Sequence, residues 1–402
     1  MKELEKKHTN ISLTYFLLVG LVGVFLRLFY VLPIPGNYRF IVHAHSHVAL
    51  LGWVYIALIT LIYKIYFSEF KKTRLYKHIF WFTNSCILGM LLSFPFQGYA
   101  LFSIIFSTLF LTATYWFSWF TFRHVPEKHR KSNSYVFIKA SIWYMLISSI
   151  GPWAVGGVMA TLGKASIWYK ISIYFYLHFQ YNAWFILALI GILFYIMEQF
   201  SVKIERRQFK SFFLLLNVGI ILSFFLSVLW IKPPSIFYIL AALGAIVQVT
   251  AFFYFFRFVQ NAWPVLKTGL SPIVLKLLKL SGLLLLVKIG LQLISALPYF
   301  ANLAYLYQDF VIGYLHWTFL GLVSLCLFAF LEHFKLIRIN SQILTIYILG
   351  FIFSEILIFY KGLGLWLGWP AFAIQPWLLV AISAFIPLAV GILLMKNLNT
   401  KN

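Results

Sequence analysis

Long apolar runs dominate this chain, and short polar breaks punctuate them. Twelve runs stand out, at about 11–32, 43–67, 77–96, 99–122, 138–161, 171–197, 211–231, 235–257, 271–297, 311–332, 341–361 and 376–395. A helix needs about 20 apolar residues to cross a bilayer, and each run approaches or exceeds that length. The breaks carry turn chemistry or charge: Pro33-Ile34-Pro35-Gly36, residues 69–77, 123–131 and 203–210, Pro233-Pro234, Trp263-Pro264, Pro298, Asn340 and Gly368-Trp369-Pro370. The first run follows Lys2, Lys6 and Lys7, an order shared with signal peptides. It is too long for a signal core and no small-residue cleavage site follows, so it reads as the first span.

Composition narrows the class. Apolar residues make up 62% of the 402, and charged residues only 10%. Soluble domains run near 45–50% and about 25%. This excludes a soluble enzyme, a disordered chain and a secreted disulfide scaffold. A membrane β-barrel would alternate and dilute the apolar fraction. The expectation is an all-α polytopic membrane helix bundle of about 12 transmembrane helices, one integral membrane domain over 1–402. Cys86 and Cys326 both lie in apolar stretches and suggest neither a disulfide nor a metal cluster.

The net charge of +23 would suggest nucleic acid in a soluble protein. Its distribution points instead to membrane orientation, with lipid as the surrounding partner and no nucleic acid. With the N-terminus inside, the inner segments hold Lys2, Lys6, Lys7, Lys71, Lys72, Arg74, Lys77, Arg123, Lys128, Arg130, Lys131, Lys203, Arg206, Arg207, Lys210, Arg257, Lys267, Lys335, Arg338, Lys396 and Lys401. The outer loops hold only Arg39, Lys164, Lys170, Lys232 and Lys361. Cytoplasmic loops retain Lys and Arg, so both termini are expected in the cytoplasm, in a bacterial inner membrane. A miscounted span would invert the pattern after it.

Five histidines, His8, His78, His124, His129 and His333, fall at inner ends or loops and read as interfacial. The other five, His43, His45, His47, His178 and His316, are at membrane depth or close to it, where polar groups usually face a bundle interior. Three of them share a context. Span two reads His47-Val-Ala-Leu-Leu-Gly-Trp53, span six His178-Phe-Gln-Tyr-Asn-Ala-Trp184, and span ten His316-Trp-Thr-Phe-Leu-Gly-Leu322. The intervals are 131 and 138 residues, close to a third of the chain. The pattern suggests three four-helix units, about 1–134, 135–270 and 271–402, each with a histidine in its second helix. All three helices run inward, which places the histidines in the outer half of the membrane. The Gly or Ala five residues later leaves room for a neighbouring helix or a flat ligand.

Imidazoles from different helices at one depth can ligate haem iron from both sides, and imidazole also binds copper. Twelve spans in three four-helix units, both termini inside, with His47 and His316 in helices two and ten, resemble subunit I of the haem-copper oxidases. The resemblance is strongest in its architecture and, locally, at His43-Ala-His45-Ser-His47-Val-Ala-Leu-Leu-Gly-Trp53. It implies a low-spin haem held by His47 and His316, electron transfer or small-gas chemistry within a respiratory chain, and a redox partner or further membrane subunits. It also implies copper at His178, with His43 and His45 as further metal candidates. Arg39 and Lys361 would face the haem propionates, with Lys232 close by.

The chain departs from the family at three places. Tyr314 stands where the family's tenth helix has the first histidine of His-x-His. Asn182 stands four residues after His178, where many members have tyrosine, and Tyr181 is one residue off. Span seven, 211–231, has no histidine pair. These departures argue against full oxygen reduction.

Other buried polar residues fit a lined interior. Lys288 and Gln292 are four apart in span nine, and Glu355 lies deep in span eleven. A Lys288–Glu355 ion pair is expected, with proton transfer through Glu355 the alternative. Two further readings compete with haem binding: a proton-coupled transporter using His47, His178, His316 and Glu355 as a relay, and a metal-handling or assembly factor using His43, His45 and His47.

Overall fold

The computed structural model describes residues 2–69, 73–370 and 372–399, so Lys71, Lys72 and Lys401 of the inner-loop charges lie outside the described residues. Among the described residues there are helices, turns and no strand. Eleven helices are long and apolar enough to cross a membrane, and twelve if the bent pair Pro272–Ser295 and Pro298–Leu306 counts as one span. The chain is a polytopic all-α integral membrane protein.

Local chemistry explains several helix starts. Asn37 accepts from the Phe40 amide at the start of Tyr38–Tyr66. Ser132 accepts from Tyr135 N, Ser166 from Trp168 N and Asn340 from Ile343 N. Such caps satisfy amides that have no partner inside the helix. Gly368 closes the eleventh span at φ 70°, a left-handed conformation that glycine adopts without strain.

Two boundaries differ from expectation. Pro264 does not end its helix: Ser235–Gly269 runs through it for 35 residues. That is about 50 Å at 1.5 Å per residue, longer than the hydrocarbon core of about 30 Å. Arg257 and Lys267 therefore ride on the helix instead of forming a loop. The break comes at Ser271-Pro272, because the Ser271 side chain accepts from Val274 N and Pro272 occupies the first turn, where a missing N–H costs nothing. The second difference lies at Pro298. It does break the chain, but a new helix, Pro298–Leu306, starts there at 104° to the preceding one.

By packing, the chain forms two compact units, Met1–Pro126 with Ser324–Asn402, and Glu127–Val323. These do not coincide with the three four-span units of the sequence. In the first unit the second span is the core, with 89% of its apolar window buried, whereas the first span is 39% buried. Phe16 of the first span stacks on Trp53 at 4.5 Å, and the Trp53 indole N–H donates to Ser324 Oγ at 2.9 Å. Phe328 and Tyr347 extend this cluster. In the second unit the sixth span is the core, again 89% buried. Phe137, Phe194, Phe209, Phe212 and Phe258 interlock around it. Lipid tails are as apolar as these rings, so close contact and satisfied polar groups hold such bundles together. Aromatic pairs add about 0.5–1.5 kcal/mol each beyond area burial.

Candidate functional site

The three repeat histidines share one structural event. Each is the last residue of an α-helix, and a π-helical segment begins at the next residue. Tyr38–His47 passes into Val48–Tyr55, Ile167–His178 into Phe179–Phe185, and Gln308–His316 into Trp317–Val323. An α-helix then resumes in every case. A π-helix bonds i to i+5, is rare, and is frequent at functional sites. Its i to i+5 pattern brings the fifth residue after each histidine, Gly52, Ala183 and Gly321, beneath the junction. At Gly52 the space is filled by protein: an added Cβ would lie 2.7 Å from the Tyr15 ring of the first span. Of the two expectations for this position, a neighbouring helix is the one the structure shows at Gly52.

In the first unit, the Nδ1–H of His47 donates to the His43 carbonyl at 2.8 Å. That bond fixes the tautomer and leaves the lone pair on Nε2. The Tyr99 hydroxyl meets Nε2 at 3.2 Å. The His47 ring packs 4.5 Å from Phe94, and His43 lies 4.7 Å from Tyr99. His43 and His47 thus share a helical face, as their spacing predicts. His43 lies well inside a helix that starts at Tyr38. His45 points to a different neighbour, and its Nδ1–H donates to the Val19 carbonyl of the first span at 3.1 Å. Its Cε1 would be 3.0 Å from a Cβ on Gly23, so glycine there admits the imidazole. Arg39 is exposed at the start of this helix. Lys361 sits 5.3 Å from the centre of the Tyr30 ring, and Tyr30 bonds Tyr38 through their hydroxyls at 3.2 Å.

In the second unit, His178 is buried with both ring nitrogens engaged. Nε2–H donates to the Ile220 carbonyl at 2.8 Å, and Nδ1 accepts from Asn182 Nδ2 at 3.2 Å. Asn182 Oδ1 in turn accepts from Lys288 Nζ at 2.7 Å, and Gln292 Oε1 accepts from the same ammonium at 2.9 Å. Lys288 also lies 5.5 Å from the centre of the Tyr314 ring. The position where the oxidases have tyrosine is therefore the middle link of a chain from His178 to Lys288. His316 closes its helix beside Trp317, whose indole N–H donates to the Leu284 carbonyl at 3.0 Å.

Two expectations change. The partners of Lys288 are amide oxygens, because Asn182 of the sixth span and Gln292, one turn on in its own helix, both reach it. Glu355 is buried in the field of Arg27 of the first span. His8, read as interfacial, is fully buried and stacked on Phe80 with ring centres 3.3 Å apart. The signal for it was present: Glu5, His8, Thr9 and Ser12 follow helical spacing, and all four are fully buried. Among the described residues no three His, Cys, Asp or Glu side chains form a metal-holding group. A copper ion on His178 would have to displace one of its two bonds.

Compared with protein-family models and with curated proteins, the sequence finds no match. The oxidase resemblance rests on the residues quoted for it.

Proposed function

We propose that this chain is a haem-binding integral membrane protein related to subunit I of the haem-copper oxidases, acting in electron transfer or small-gas handling without a copper centre. The observation that carries the reading is His47. Its Nδ1–H is held by the His43 carbonyl, so Nε2 presents the lone pair that an axial ligand needs. Tyr99 shares that nitrogen at 3.2 Å, and half its surface is exposed. The resemblance adds His316 as second ligand, Arg39 and Lys361 as propionate partners, and a redox partner or further membrane subunits. When bound, haem iron would supply one-electron exchange or gas binding. The His43 carbonyl orients the imidazole, and the Phe94 ring packs against it.

His178 does not fit copper, so no chemistry is derived through that metal. His43 and His45 bond or pack within the protein and are outside the proposed ligand set. The charge asymmetry supports cytoplasmic termini in a bacterial inner membrane, which reporter fusions at each terminus would test. The deciding experiment for haem is an optical spectrum of protein purified after haem-replete expression. A bis-imidazole spectrum, lost in both His47→Ala and His316→Ala, is expected. Absence of a Soret band sinks the reading.

One observation favours a second reading. Lys288 is a buried cation held by neutral groups, and intramembrane ionisable residues commonly mark ion or proton pathways. In this reading the chain is a proton-coupled transporter. pH-dependent flux in haem-free liposomes, abolished by Lys288→Met, would replace the haem reading.

A further inference from the structure

The first unit contains a second polar cluster, at the N-terminal end of the first span, that haem binding does not use. Glu5 and His8 are one turn apart and both fully buried. Neither carboxylate oxygen of Glu5 has a hydrogen-bond donor, and neither ring nitrogen of His8 has a partner. The Tyr63 hydroxyl of the second span is buried in the same condition. Lys64 Nζ stands 3.8 Å from Glu5, beyond hydrogen-bond length, and its side chain is 22% exposed. Tyr76 of the third span stacks on Tyr63 at 3.8 Å and lies 5.5 Å from His8, which makes the group continuous. The charged and titratable groups facing it are Lys7 on the first span, Tyr63 and Lys64 on the second, and Tyr76 and Lys77 on the third. On the last span, Asn397 donates to Asn10 Oδ1 of the first.

Buried polar atoms are bonded in more than nine cases of ten. A carboxylate, an imidazole and a phenol left unbonded together therefore call for a shared ligand. The groups have complementary needs. An ionised Glu5 wants donors, and among the described residues the Lys64 ammonium stands 3.8 Å away. A protonated Glu5 is itself a donor, and a neutral imidazole and a phenol oxygen can accept from it.

We propose that Glu5, His8 and Tyr63 form a proton-binding site that exchanges with the aqueous phase past Lys64. The carboxylate takes a proton from hydronium, releasing water and becoming a carboxylic acid, and it returns that proton by the same route. Glu5 is the group that carries the proton, with His8 one turn on and Tyr63 of the second span as its buried polar neighbours. The proposal is independent of the haem reading, because its readout is the carboxyl group itself.

The test is pH-difference infrared spectroscopy of the full chain in lipid nanodiscs. A carbonyl-stretch band of a protonated carboxyl should appear on acidification and be lost in Glu5→Gln. Tyr63→Phe should move the band's frequency while keeping the titration, and it serves should Glu5→Gln fail to fold. A titrating band that survives Glu5→Gln overturns the proposal. So does the absence of any titrating carboxyl band, or a band whose frequency Tyr63→Phe leaves unmoved.

Discussion

The junctions at His47 and His178 begin from the same motif and end in opposite states. Both histidines finish an α-helix, both precede a π segment, and both sit in the most buried span of their unit. His178 has spent both nitrogens, one on the Ile220 carbonyl and one on Asn182. His47 has spent one on its own helix, and a half-exposed tyrosine touches the other. The difference comes down to the residue four positions on. Asn182 reaches back to its imidazole, whereas the equivalent Leu51 has nothing to offer. A repeated fold element can thus spend both imidazole nitrogens inside the protein in one copy and leave one beside an exposed tyrosine in another. A single side chain decides between them.

The largest effect should separate the two junctions outright. His47→Ala is expected to abolish haem content, while His178→Ala should retain the Soret band and lose stability. Equal loss of haem in both variants would break the comparison. Next in size is the network around His178. Asn182→Leu leaves the Lys288 ammonium with one of its two oxygens and His178 without a donor. Removing a hydrogen bond to a buried charged group costs about 1.5–3 kcal/mol, which a clear fall in the thermal midpoint in detergent would register. Lys288→Met removes the charge but leaves the Asn182 and Gln292 oxygens without a donor, so it should cost less than Asn182→Leu without gaining stability. A collapse of the fold in that variant would show that the cation is structurally essential.

Gly52→Ala should cost about 1–3 kcal/mol through overpacking against Tyr15. The sixth span already carries Ala183 at the matching place, so Ala183→Gly should change much less. Similar costs would remove Tyr15 from the explanation. The smallest effect belongs to the polar tie of the first core. Trp53→Phe loses the bond to Ser324, and hydrogen bonds between membrane helices average about 0.6 kcal/mol. A double-mutant cycle with Ser324→Ala would resolve it.

Much of the fold was legible because lipid imposes a length on every span. Apolar runs alone located the helices, and Ser132, Ser271 and Asn340 sit where capping chemistry expects them. Pro264 misled because proline ends helices only when no better signal follows, and Ser271-Pro272 is the better signal. The histidine interval pointed to three equivalent places, and the π segments begin at those residues. Their geometry was not legible, since a helix apolar on all sides has no periodicity from which to read i+4 against i+5. The chemistry of the sites was half legible. Residue spacing put His43 and His47 on one face, but which nitrogen is spent depends on the partners that tertiary packing supplies. Burial of Glu5 and His8 was signalled by their helical spacing with Thr9 and Ser12, but the surrounding lysines masked that signal. A charged segment at a chain's end resembles an interfacial anchor, and only the packing of the second and third spans over it makes it interior.

The π segments also have a mechanical consequence. Each holds more residues per turn than the α-helices on either side. Winding one residue of that excess back into α form would turn the following helix by about 100° about its own axis, the angle one residue subtends at 3.6 per turn. The second span of the first unit and the sixth of the second are therefore built like screws with a slack thread directly below the histidine. Whatever grips or releases the imidazole acts on the end of that thread. The helix beyond it, with Tyr63 and Lys64 near its far end, is the part that would rotate.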